Sequence, residues 1–129
     1  MKLLLDTNAL LWWLDGSPRL GRRAQAAVAD PRYTVFVSAA SAWEIAIKVA
    51  RGKLTVPPDL ATWLPAQVEA SRFTPLPITI AHALDVERLP PHHLDPFDRL
   101  LVAQASAEGL TIVTGDSQLE PYDVPLIRC

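Results

Sequence analysis

The chain has 129 residues, 50% of them hydrophobic, with a formal net charge of -2, twelve prolines and a single cysteine, Cys129. That length supports one compact domain over residues 1–129 and excludes two ordinary ones, while the lone cysteine excludes an intrachain disulfide and a cysteine-based metal site. The acidic balance excludes nucleic-acid binding by bulk electrostatics, so any contact with a polyanion must be local.

Leu3, Leu4 and Leu5, bounded by Lys2 and the turn-prone Thr7-Asn8, read as a strand buried on both faces. Asp6 stands at its carboxyl end, where it either caps the helix beginning near Asn8 or faces the crevice in which open α/β sheets bind ligands. NALLWWLDGSP (8–18) predicts a short apolar helix stopped by Gly16 and Pro18, and RLGRRAQAAVADP predicts a second, ended by Pro31. Trp12 and Trp13 are adjacent and cannot both face one core. One belongs in the core with the other on a partly covered surface, or the pair meets a partner.

YTVFVS (33–38) predicts the second strand, and SAWEIAIKVARGK (41–53) a helix running from Ser41 to Gly52. PDLATWLPAQVEASRF predicts a helix capped by Asp59 and broken or bent at Pro65. FTPLPI suits a short third strand, and TIAHALDVERLP a helix capped by Thr79. DPFDRLLVAQASAEGL carries Asp95 at the cap, Pro96 at the first helical position and Gly109 after the end. TIVTGD (111–116) and VPLI (124–127) are the last strands. This alternation predicts an α/β fold in which a parallel sheet is covered by helices on both faces. No apolar run approaches the roughly 20 residues of a membrane helix and the start lacks a secretory signal, which points to a cytoplasmic protein without a membrane segment.

Asp98 shares a helical stripe with Leu101, Val102 and Ala105, so its carboxylate either exploits the positive end of the helix dipole or faces the core and needs a cation. Asp95 reads as a helix cap. Glu44 has Lys48 four residues on, and spacing alone makes the two an exposed helix pair. Asp116 follows the strand TIV and either caps a helix near Ser117 or joins Asp6 at the same sheet edge. Carboxylates converging there would repel one another unless a cation lay between them. All-oxygen ligands, with no cysteine and no evident histidine ligand, favour Mg²⁺ or Mn²⁺ over zinc.

Laid out in order, LLLDTNALLWWL, SAASAWEIAIK, DPFDRLLVAQA, and IVTGD followed by YDVPLI resemble the motifs of PIN-domain ribonucleases, most closely the VapC-type toxins of bacterial toxin-antitoxin pairs. The resemblance covers nearly the whole chain. It implies a three-layer α/β/α sandwich with a central, mainly parallel sheet, and a Mg²⁺-dependent endoribonuclease, with Mn²⁺ as an alternative ion. It implies too that the products have 5′-phosphate and 3′-hydroxyl ends, that the chain forms a homodimer, and that a cognate antitoxin holds it inactive. Residue by residue, it makes Asp6, Glu44, Asp98 and Asp116 the acidic quartet, with Asp6, Asp98 and Asp116 on the metal and Asn8 and Thr114 as supporting polar residues. Glu44 enters through the resemblance, against its spacing. If it faces the metal, Lys48 and Arg51 follow on the same stripe and can hold the RNA backbone. Gly115 departs from the family, where a basic or larger residue is frequent.

Other chemistries fit the sequence less well. His92-His93 suggests a metal-independent ribonuclease, but adjacent residues in a proline-flanked loop point in different directions, and the plain reading is polar loop filler. His82 falls on an amphipathic helix and reads as a packed or surface residue. An aspartyl phosphotransferase built on Asp6 usually needs a second acid where Asn8 stands. The remaining alternative is an RNA-binding module with a vestigial site.

Overall fold

The computed structural model describes residues 1–93 and 95–129. Its centre is a five-stranded, wholly parallel sheet of β1 (Lys2–Leu5), β2 (Thr34–Ser38), β3 (Thr74–Leu76), β4 (Thr111–Thr114) and β5 (Leu126–Arg128), in the order β3-β2-β1-β4-β5. Among the described residues, six α-helices connect and cover the strands: α1 (Thr7–Asp15), α2 (Arg22–Ala29), α3 (Ala39–Ala50), α4 (Leu60–Ala70), α5 (Ile80–Asp85) and α6 (Pro96–Glu108).

The leucine run explains why β1 is central. Leu3, Leu4 and Leu5 are all fully buried, and because side chains alternate along a strand they serve both faces of the sheet. Leu3 and Leu5 join Val35, Val37 and Val113 in a core closed by Leu10 of α1, Val28 of α2 and Val68 of α4. Leu4 points the other way, into a second core with Ile112 and with Leu101, Val102 and Ala105 of α6. Helix α3 contributes to both, through Ile45 and Ala40. Three layers result, as expected.

The register fixes what meets at the carboxyl edge of the sheet. Leu5 pairs with Val37 on one side and Val113 on the other, so Asp6, Ser38 and Thr114 leave the sheet at one level. The strand order reverses between β1 and β4, and a doubly wound sheet opens its ligand crevice at that switch point.

Several local expectations shift. Residues 19–31 do not form one helix: a 3₁₀ turn at Pro18–Leu20 is followed by Gly21 at φ 80°, where L side chains are strained, and α2 starts after it. Helix α3 begins before Ser41, because Ser38 Oγ accepts from the Ala40 N–H (3.0 Å) and caps it. Asp59 precedes α4 but adopts φ 62° and makes no side-chain cap. Helix α4 runs on through Pro65, which lies with Ala61 on the exposed face, where water can satisfy the carbonyl that proline leaves unbonded. The last strand is Leu126–Arg128, two residues beyond the expected start.

Truncating Leu4, which fills one core from the central strand, tests this layering. Leu4→Ala is expected to destabilise the protein by about 2–5 kcal/mol. Urea unfolding should show this as a lowered midpoint with an unchanged slope.

Candidate functional site

Asp6 caps α1 from the carboxyl end of β1. One carboxylate oxygen, Oδ1, accepts the Ala9 N–H at 2.7 Å and caps α1, while the side chain stays 5% exposed beside Thr114 at the end of β4. Burial pushes its carboxyl above the ordinary range; the Thr114 hydroxyl and the Ala9 N–H oppose this, and the charges of Asp116 and Glu44 add to it. Asp116 follows the same pattern. Its Oδ1 accepts the Gln118 N–H (2.9 Å) and caps a 3₁₀ turn at Ser117–Leu119, and its own N–H donates to Thr114 Oγ1 (2.9 Å).

Asp98 stands in the first turn of α6, where the helix dipole favours a negative charge. Desolvation nevertheless raises its carboxyl to about 7, helped by the charges of Asp95, Asp6 and Glu44 and opposed by His93. Asp95 is a cap, accepting from the Phe97 N–H (2.8 Å) and the Asp98 N–H (3.3 Å).

Glu44 corrects the exposed-pair expectation. It is 8% exposed, because the crossing of α3 over α1 presents it to Thr7, whose Oγ1 donates to Glu44 Oε1 at 2.7 Å and lies 3.1 Å from Ser41 Oγ. The pairing with Lys48 is real all the same, with Nζ 2.8 Å from Oε2. The lysine therefore compensates a buried acid. Arg51, the C-cap of α3, is exposed.

Asn8 is also exposed. It lines a cavity of about 400 Å³ together with Trp12, Arg19, Thr55 and Trp63, outside the acidic group. Trp12 and Trp13 are both half-buried against the first core, neither wholly inside nor wholly out. Trp13 Nε1 donates to Ser71 Oγ (3.2 Å), and its ring lies 5.7 Å from that of Phe73. Trp12 reaches over the end of β4, so that a Cβ on Gly115 would lie 3.0 Å from its Cη2. The volume that a larger residue would take at position 115 is filled by this indole.

The residue that sequence reasoning missed is His93. Its Nε2 lies 3.1 Å from Asp98 Oδ2 and 2.9 Å from Asp116 Oδ2, and the three side chains place these atoms within 4.8 Å of one another. The loop carrying it is pinned by Arg99, whose guanidinium donates to the carbonyls of Pro90 (3.0 Å), Val86 (3.1 Å), Leu89 (3.3 Å) and His93 (3.4 Å) and to Tyr122 Oη (3.2 Å). Tyr122 Oη in turn accepts the His93 N–H at 2.9 Å. His92 turns the other way, its ring edge-on to Tyr122 with centroids 5.2 Å apart. The only sequence signal was a histidine just ahead of a helix that opens with an acid.

The raised Asp98 and Asp6 carboxyls set the pH response of the metal-free protein. The folded state holds their protons above the pH at which the unfolded chain has released them. Stability from these groups is therefore present below about pH 4 and lost as the pH rises, for Asp98 through about 7. Thermal melting in EDTA should fall between pH 5 and pH 8, and Asp98→Asn should flatten that fall.

Comparison with known proteins gives this geometry its context. Residues 3–124 match the PIN domain family. Over 69 residues the chain is 41% identical to Ribonuclease VapC16 of Mycobacterium tuberculosis (strain ATCC 25618 / H37Rv), a match covering 50% of this chain and 49% of that protein. The match thus spans about half the length of that relative. Among solved structures, the fold is similar to VapBC2 from Rickettsia felis bound to a promoter DNA fragment, with a TM-score of 0.74, 16% identity, and 100% and 99% of the two chains covered. It is similar also to DNA-bound VapBC from Salmonella typhimurium (TM-score 0.67, 16% identity, 99% and 98% covered) and to VapBC-5 from M. tuberculosis (0.62, 20%, 99% and 98%). Acids delivered by the ends of neighbouring parallel strands, and a family match that runs nearly from end to end, lead to one assignment: the chain belongs to the PIN domain family.

Proposed function

We propose that this chain, acting as one domain over residues 1–129, is a divalent-metal-dependent endoribonuclease and the toxin of a toxin-antitoxin pair. The observation that carries the reading is the gathering of Asp6, Glu44, Asp98 and Asp116 at one sheet edge, where their charges act on one another. The ribonuclease relative and the likeness to toxin-antitoxin complexes support it.

The donor set fits a hard cation. Burial and neighbouring acids hold the Asp6 and Asp98 carboxyls above the ordinary range, which a positive charge among them would relieve, and oxygen donors without cysteine suit Mg²⁺ or Mn²⁺. Asp6, Asp98 and Asp116 would hold the ion, with Glu44 completing the set. A divalent cation so held supplies Lewis acidity toward the scissile phosphate and lowers the pKa of its bound water. The chain's own groups do the rest. The N–H groups of Ala9 and Gln118 each fix one oxygen of Asp6 and Asp116, which orients the remaining lone pairs. Thr114 supports both acids, and Thr7 and Lys48 fix the position of the Glu44 side chain. Cleavage leaves 5′-phosphate and 3′-hydroxyl ends in this reading.

RNA reaches the site over local features, since the net charge of -2 offers no general attraction. Trp43 is 58% exposed and lies edge-on against Phe97, with ring centroids 5.1 Å apart; each residue directly precedes an acid of the site. An open indole face at that rim suits the stacking of an unpaired base. Lys48, already paired with Glu44, and the exposed Arg51 are the nearest cations along α3 and serve the RNA backbone. A cognate antitoxin as inhibitor, a homodimer as the working form, and the cytoplasm as the compartment complete the proposal; no helix among the described residues is long and apolar enough to cross a membrane.

The histidine-only mechanism loses ground here, because His92 and His93 diverge and His93 faces two carboxylates. The test is cleavage of total RNA by the purified protein in Mg²⁺, Mn²⁺ or EDTA, beside Asp6→Asn and Asp98→Asn. Metal-dependent cleavage that falls by about a hundredfold or more in each variant, a barrier change of at least about 2.7 kcal/mol, is expected. Cleavage persisting in EDTA would overturn the mechanism. RNA binding without cleavage in any metal would favour a vestigial site.

A further inference from the structure

His93 is too well held, and too central, to be loop filler. Its imidazole is fixed at both nitrogens: Nδ1 faces the Asp95 N–H at 3.1 Å, while Nε2 faces Asp98 Oδ2 at 3.1 Å and Asp116 Oδ2 at 2.9 Å. A backbone N–H can only donate, so Nδ1 is the acceptor and Nε2 carries the proton. That tautomer decides the chemistry. A metal-bound imidazole nitrogen must present a lone pair, and here the nitrogen facing the acids presents a hydrogen instead. His93 is thus placed as a donor bridging two carboxylates. A divalent cation held by these two oxygens would compete with the Nε2–H for their lone pairs.

We propose that His93 is a positioning residue that takes the cation's place: its Nε2–H holds Asp98 and Asp116 together in the metal-free protein and gives way when a divalent ion binds between them. This rests on the reading of the acidic group as a metal centre. The bridge offsets the repulsion between the two acids, which would otherwise drive them apart. It also opposes metal entry, because the ion must break both hydrogen bonds. The pinned backbone of the loop, with Arg99 on its carbonyls and Tyr122 on the His93 N–H, keeps the ring in register when its side-chain bonds break.

The test compares wild type, His93→Ala and His93→Gln, each checked for folding by circular dichroism, in calorimetric titrations with Mn²⁺ and in EDTA melting. In His93→Ala, a lower metal-free melting temperature should accompany Mn²⁺ binding about tenfold tighter, the worth of one charge-assisted hydrogen bond. His93→Gln, whose amide can donate to a carboxylate, should fall between the two. In wild type, imidazole nitrogen spectra should report the Nε2-protonated tautomer without metal and shift on adding Mg²⁺. Weaker Mn²⁺ binding in His93→Ala would overturn the proposal and make the ring a ligand. Unchanged affinity with static imidazole signals would overturn it and make the ring a bystander, leaving the metal centre intact. Absence of Mn²⁺ binding by wild type would remove the metal centre itself.

Discussion

Negative charges gathered where water barely reaches set the terms for everything at the carboxyl edge of this sheet. Asp6 and Glu44 are almost wholly buried, and Asp98 and Asp116 lie near enough for their charges to be felt. The fold answers with positive ends of backbone dipoles. Asp6 caps α1, Asp116 caps the 3₁₀ turn after β4, and Asp98 occupies the first turn of α6. Glu44 lies in the second turn of its helix, too far for that help, and receives a lysine and a threonine instead. Capping and function, opposed in the reading of the sequence, are compatible because a carboxylate has two oxygens.

Topology explains why these acids meet. With β1 in the middle and the chain turning from β2 and β3 on one side to β4 and β5 on the other, the ends of β1 and β4 face one crevice. The even register delivers Asp6 and Thr114 to the same level, and α6 packs against the second core so that its first turn opens there. A buried chain of hydrogen bonds links the far side of this edge: Ser38 Oγ donates to Gln104 Oε1 (2.5 Å), and Gln104 Nε2 to the Pro77 carbonyl (3.2 Å). Helix α6 is thereby tied to β2 as well as packed beside it.

Much of this was legible because local rules and the fold agreed. The leucine run, the β-branched strands and the Asp-Pro…Gly frame of α6 each specify their element without help from elsewhere. What escaped depended on partners distant in the chain. The burial of Glu44 comes from Thr7, 37 residues away, and no pattern within α3 carries that fact. His93 finds the acids only because Arg99 and Tyr122 shape the loop before α6. The left-handed Asp59 and the interruption at Gly21 are set by how the chain must turn, which propensity does not encode.

The indole over Gly115 has a consequence for variation at this site. Trp12 and residue 115 share one volume at the lip of the crevice: with no Cβ at 115 the ring has just enough space, and with one it is at 3.0 Å. The two positions are therefore coupled: a side chain at 115 obliges the Trp12 indole to give by a few tenths of an ångström or to yield to a smaller residue. Lineages could thus exchange an aromatic wall for a cation beside Asp116 while leaving the four acids untouched, altering what approaches the centre without altering the centre.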